Sequence, residues 1–532
     1  MSRMLRASAI MAAGTMVSRL TGFVRTALLA AAVGTLALGD AYNAAYQIPY
    51  ILFDLLLQGV LSSVIVPMIV RAQQRDPDGG QAFEQRLMTL AVVGLSAVAV
   101  VGVLLARPIM ELYTAENWSE HKIEVATTLA RFMLPQIAFF GVGAMAGAIL
   151  NTRDRFGAPM WAPVVNNIVV IGVLSAYYAI GTSDIERVTD RDLMLLGIGT
   201  TAGIVAQAIV LIIALHRVGF RFRPRFDLRG SGLGEAVKSA AWTFAFVAIN
   251  QLGFLVTTKL ATGAGERAPG AGNSAYAYAF QLFQLPYGII AVSVITAMLP
   301  RMSRHVADGD LGSARAEFAS AVRLVSSAIV PAGLLLLVLG PAVTTVIFSY
   351  GHMTTGNALY IGHVLQVFGL ALVPFSIFQL LLRVFYSFGD TRTPAGLAAI
   401  NVTLNASLSV VAYLTLPPRY IVIGLASSFL ITYSVGGVIA WSLASRKIHG
   451  LGGQEVLAGL SRMFLAAIPA AAAALGVLWL VREVTEITVI TAGIVLVAGG
   501  GLGLLLYVAI AHRMRVPEIN SIIGLVASRV GR

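Results

Sequence analysis

Fourteen apolar runs, each long enough to cross the ~30 Å hydrocarbon core of a bilayer as a helix, recur between residues 8 and 511 of this chain. A segment in hydrocarbon must satisfy its backbone hydrogen bonds internally, which leaves helices or a closed barrel. The ten-residue alternating strands of a barrel are absent, so the runs are helices. Charged residues make up only 12% of the 532, about half the share in an average soluble protein. The expected fold is an all-α polytopic membrane protein with 14 transmembrane helices. No stretch outside the runs is long enough for a soluble catalytic domain, so the chain is not read as an enzyme. The absence of cysteine excludes disulfides, thiol chemistry and thiolate metal sites. Arg3 and Arg6 ahead of the first run look like a signal-peptide n-region, but the run is too long for one and is read as a retained helix.

The net charge of +12 is unevenly placed. With an even number of spans both termini share one side, and Lys and Arg crowd that side while acidic residues divide evenly. This is the positive-inside pattern, so both termini are expected in the cytoplasm. The cluster Arg217, Arg221, Arg223, Arg225 and Arg229 lies in one of these loops. It reads as a topology signal and a contact for anionic membrane lipids rather than a nucleic-acid site.

Segments repeat at an offset near 235 residues. Gln47-Ile-Pro-Tyr50, Val66-Pro67 and Arg71 correspond to Gln284-Leu-Pro-Tyr287, Leu299-Pro300 and Arg304. The turn Asn151-Thr-Arg-Asp-Arg-Phe-Gly-Ala-Pro159 corresponds to Tyr386-Ser-Phe-Gly-Asp-Thr-Arg-Thr-Pro394. Both turns are charged and close on a proline, which suits a first helical turn because its missing N–H has no partner there anyway. The repeat unit is six helices. An even number keeps both copies in one orientation, so two parallel six-helix lobes are expected, a plan used by transporters. The lobes are placed at 1–215 and 239–443, with a basic linker at 216–238, two extra helices within 444–511 and a basic tail at 512–532. Prolines 49, 135, 286, 331 and 374 fall inside spans, where each frees a carbonyl and permits a bend.

Arg19 and Arg25 lie inside the first apolar run, at 8–34. A guanidinium remains charged and is costly at bilayer depth, so it marks a cavity, a water path or an anionic partner. Six residues separate the two, about 9 Å along a helix and about 120° around it. Long side chains from two heights can converge on an extended anion such as a diphosphate, because guanidinium groups fork onto phosphate oxygens. The other reading is an ion pair with a neighbouring helix plus snorkelling, with Asp54 in span 2 as the partner of Arg19; both readings hold if Asp54 orients Arg19 while Arg25 is free. Arg131, Arg323 and Arg383 sit near span ends, where snorkelling also accounts for them, and Arg383 enters the second charged turn. Asn401 and Asn405, four apart on one face of span 11, either ligate an alkali cation or hydrogen-bond between helices. Gln281 and Gln284 give the second lobe neutral polar character. Glu111, Glu116 and Glu120, the only grouped outer carboxylates, read as a solvated segment. No His-Glu-x-x-His and no phosphate-binding glycine loop is present, so neither a metal nor a cofactor is expected.

Several elements together resemble the MurJ/MviN family of lipid II flippases, in the actinobacterial form, within the multidrug/oligosaccharidyl-lipid/polysaccharide exporter superfamily. They are Val17-Ser-Arg-Leu-Thr-Gly-Phe-Val-Arg25, Gly39-Asp40-Ala41, Val66-Pro67, Leu150-Asn-Thr-Arg-Asp-Arg-Phe156, Ala162-Pro-Val-Val-Asn-Asn167 and Asp390-Thr-Arg-Thr-Pro394. The resemblance implies a V-shaped two-lobed transporter in the bacterial inner membrane, moving an undecaprenyl-diphosphate-linked disaccharide-pentapeptide outward for peptidoglycan assembly. It implies headgroup-binding roles for Arg19 and Arg25, an acidic position at Asp40, and a lipid-tail groove at the last two spans. It also aligns Phe53 with an arginine common in relatives, and Gln281 and Gln284 with an arginine and a glutamate. A sodium site would map to Thr257, Asn401 and Asn405, without the carboxylates. Partners implied are lipid II and proteins of cell-wall synthesis or division. The competing assignment is a drug/cation antiporter or another lipid-linked oligosaccharide flippase of that superfamily.

Overall fold

The computed structural model describes residues 2–53, 65–227 and 233–521. Among these residues every regular element is a helix. Thirteen helices are long and apolar enough to cross a membrane. The second expected span, 41–70, contains residues 54–64 and Asp54, which lie outside the described residues, so the count is consistent with fourteen. The chain divides into two compact units, 1–274 with 351–353, and 275–350 with 354–532.

The first unit contains α1 (Ser2–Val33), α2 (Ala37–Phe53), α3 (Val66–Arg75), α4 (Gln81–Leu104), α5 (Ala106–Tyr113), α6 (Glu120–Met133), α7 (Gln136–Thr152), α8 (Gly157–Ile180), α9 (Asp190–Arg217) and α10 (Leu233–Arg267). Here α8 packs on α1 and α9, and α7 on α4 and α9. The seventh span, α10, clusters with this first unit. Pro135 divides α6 from α7 within one membrane-length segment, 120–152. Glu111, Glu116 and Glu120 lie in ion pairs, two with Arg107 and one with Lys259.

The second unit contains α11 (Asn273–Pro286) from residue 275 onward, α12 (Val292–Ala307), α13 (Leu311–Phe348), α14 (Thr355–Ser387), α15 (Arg392–Thr415), α16 (Ile421–Lys447), α17 (Gly453–Val484), α18 (Val489–Val495) and α19 (Gly501–Arg513). Between α11 and α12 the chain takes a π-helical turn, Tyr287–Ala291, directly after Pro286. Proline has no N–H to give the preceding turn, and the ladder widens by one residue beyond it. The last two spans belong to this unit, packing Ala466, Ala470 and Ala474 of α17 against α13 and α19. Arg323 on α13 pairs with Glu455 and Glu518.

The repeated turns share one geometry. In the first, the N–H groups of Arg153 and Arg155 donate to Leu150 O and that of Asp154 to Asn151 O, with Asp154 left-handed at φ 56°. In the second, Phe388 and Asp390 donate to Phe385 O and Gly389 to Tyr386 O, with Gly389 at φ 68°. A left-handed residue closing the last carbonyls is the general way to stop a helix. The first turn is anchored by Arg153 to the fully buried Glu84, which also accepts from Gln73. The second is anchored by Lys447 to Asp390. Burial alone would raise the Asp390 carboxyl; hydrogen bonds from Lys447 and Thr393 outweigh it and hold the group below the usual carboxylate range.

Helices α13 and α14 meet backbone to backbone. A Cβ on Gly333 would stand 2.6 Å from Gly369 O, and one on Gly369 2.7 Å from Gly333 O. Small residues permit this approach, which is how helices gain contact where lipid offers no hydrophobic drive. Gly369→Val is therefore expected to lower the thermal unfolding midpoint of the purified protein, at an overpacking cost of about 1–3 kcal/mol. Gly437→Ala, whose Cβ meets no atom within 4 Å, should leave the midpoint unchanged; equal midpoints for the two variants would contradict the close approach.

Candidate functional site: an arginine held by phenols

The rotation of α1 is set by α8. The Asn167 side-chain amide donates to Ser18 O and to Thr21 Oγ1, both at 3.0 Å. Trp161 packs against Gly14, one turn further toward the N-terminus. Two of the elements that carry the family resemblance are thus the two sides of one helix contact. With the Ser18–Thr21 face turned to α8, Arg19 and Arg25 are both half-buried.

Arg25 Nη2 donates to the Tyr46 hydroxyl on α2 at 3.2 Å, and its guanidinium carbon stands 5.5 Å from the centre of that ring. Tyr46 stacks on Tyr42, with centroids 6.1 Å apart and planes 7° from parallel. Tyr42 is buried and its hydroxyl meets Thr200 Oγ1 of α9 at 2.8 Å. Among the described residues Arg25 has no ion pair. A charge at this position is costly unless hydrogen-bonded, and here the partner is neutral, so the positive charge is solvated without being cancelled. Tyr42, Tyr46 and Thr200 escape a reading that follows charges, although the i, i+4 spacing of the tyrosines is a signal that two phenols share a helix face.

The other expected residues are distributed as follows. Arg19 lies on α1 six residues before Arg25, and its expected partner Asp54 is outside the described residues. Asp40 is buried at the start of α2, where Oδ1 accepts from the Ser274 N–H at 2.7 Å. It borders a cavity of about 490 Å³ lined also by Lys122, Asp184, Glu186 and Glu266. Thr257 is buried in α10, its hydroxyl donating to Gly253 O of its own helix. In the second unit Gln281 is exposed and Gln284 half-buried on α11. Arg383 is half-buried near the end of α14, its guanidinium 5.4 Å from the Tyr386 ring centre and facing the Tyr287 hydroxyl. Asn401 is buried with neither amide atom hydrogen-bonded, facing Gly436 of α16, and Asn405 is half-buried. Among the described residues no three His, Cys, Asp or Glu side chains group to hold a metal.

The sequence profile of a family described as lipid II flippase MurJ matches residues 29–497. The chain belongs to this family. A probable lipid II flippase MurJ of Rhizobium meliloti (strain 1021) is 28% identical over 473 residues, covering 88% of this chain and 85% of the relative. The lipid II flippase MurJ of Burkholderia cenocepacia is 27% identical over 429 residues, 79% of each chain. A solved lipid II flippase MurJ in an inward closed conformation superimposes with a TM-score of 0.74 at 20% identity, covering 95% of this chain and 99% of that one. An inward-facing multidrug resistance transporter of the MATE family follows at 0.66 and 13% identity, covering 83% and 98%. The fold is that of this transporter superfamily. The profile match begins after Arg25 and so does not include the two arginines.

Asn167→Ala removes the amide that fixes the face of α1. It is expected to lower the thermal midpoint by an amount corresponding to about 1 kcal/mol, the usual worth of an interhelical hydrogen bond in a membrane. An unchanged midpoint would show that α1 is held by packing alone.

Proposed function

We propose that the chain moves lipid II from the inner to the outer leaflet of the bacterial inner membrane by alternating access, with Arg25 and Arg19 holding the diphosphate. Family membership supports the substrate. The fold shared with transporters solved in inward-facing and outward-facing states supports the cycle. The observation that carries the binding role is the hydrogen bond from Arg25 to a neutral phenol in place of a carboxylate. An arginine neutralised by a carboxylate has little left for a ligand; one supported by a phenol keeps its full charge for phosphate oxygens, which it binds through paired N–H groups. Arg383, set against Tyr287 and Tyr386, repeats the device in the second unit. The excess of Lys and Arg on one side supports cytoplasmic termini.

The test is growth complementation in a bacterium depleted of its own lipid II flippase. Arg25→Ala and Arg19→Ala should each abolish complementation at an unchanged protein level. Full complementation by both would overturn the reading.

A further inference from the structure

The Tyr46 hydroxyl accepts a hydrogen bond from Arg25, and a phenol has one proton of its own to give. Among the described residues no acceptor for that proton is recorded. The ring is held by three features: it stacks on Tyr42, Tyr42 is buried, and the Tyr42 hydroxyl is tied to Thr200, which in turn donates to Leu196 O. Tyr46 itself is half-buried beside the half-buried Arg25. A rigid, half-exposed phenol that accepts from a guanidinium presents its O–H beside the same N–H fork. Two donors from different helices, one charged and one neutral, then converge on one small region. That is the arrangement a phosphoryl oxygen requires, and it is unsuited to a cation.

We propose that Tyr46 is a direct ligand of the anion held by Arg25, donating its phenolic proton to a phosphoryl oxygen, and that Tyr42 and Thr200 are positioning residues that fix its ring. The assignment rests on the anion-binding role of Arg25 given above. In this arrangement Arg25 supplies the charge and Tyr46 the direction. The stack places that direction under the control of α9 through Thr200.

The test is binding of farnesyl diphosphate to the full chain in nanodiscs, measured by calorimetry for wild type, Arg25→Lys, Tyr46→Phe and the double variant. Tyr46→Phe keeps the ring and its stacking but loses the hydroxyl. It should weaken binding by about ten- to a hundredfold, the scale of one hydrogen bond to a charged group. In the double variant the loss should be smaller than the product of the two single losses, because both groups serve one ligand atom set. Unchanged affinity in Tyr46→Phe alongside weakened Arg25→Lys overturns the ligand role of Tyr46 and leaves the arginine reading standing. Unchanged affinity in Arg25→Lys overturns the arginine reading itself. Strictly multiplicative losses would mean that Tyr46 acts through packing alone and would overturn the proposal. Should Tyr46→Phe fail to reach the membrane, Tyr42→Phe decides the matter. It frees the stack from Thr200 while leaving the Tyr46 hydroxyl in place. A two- to threefold weakening of farnesyl diphosphate binding supports the positioning role, and unchanged affinity overturns it.

Discussion

A guanidinium in an apolar helix has to be solvated by something, and what solvates Arg25 decides what the helix can do. A carboxylate would settle the cost of burial by cancelling the charge. The Tyr46 phenol reduces that cost with one hydrogen bond and the face of a ring, and leaves the charge in place. Two interhelical contacts of the first unit flank this one. Asn167 turns α1 so that Arg25 meets α2, and the Tyr42–Thr200 hydrogen bond ties α2 to α9. Losing any one of these would leave the charge either unsupported or misdirected.

Much of the fold is legible in the sequence because a bilayer allows so few solutions. Length and hydropathy locate the spans, and the two nine-residue turns match each other in the sequence. Their equivalence extends to the hydrogen bonds, Arg155 to Leu150 in one and Asp390 to Phe385 in the other. The π-helical turns at Tyr287–Ala291 and Leu496–Gly500 are not legible, since composition does not distinguish a helix that widens by a residue from one that bends. Nor is the grouping of α10 with the first unit, which depends on side contacts with α2 and α5 rather than on chain order.

Half of the candidate site is visible in the sequence. Arg19 and Arg25 stand out because charge in an apolar run is rare. Tyr42 and Tyr46 do not, because tyrosine is ordinary in a membrane helix and its role appears only when a guanidinium lies beside it. The motif residues Ser18, Thr21 and Asn167 carry the family resemblance, yet their geometry is that of a helix contact rather than of a ligand site. Asp40 shows the same separation: it is an acidic residue of a recognised element, and its carboxylate is engaged by the backbone of Ser274.

The most direct measurement is photo-crosslinking with a lipid II analogue that carries a diazirine next to its diphosphate, followed by mass spectrometry of the labelled protein. If Arg25 and Tyr46 hold the diphosphate, adducts fall on peptides of α1 and α2 spanning residues 19–46. Recovery of those peptides unlabelled, with adducts confined to other helices, would contradict the account.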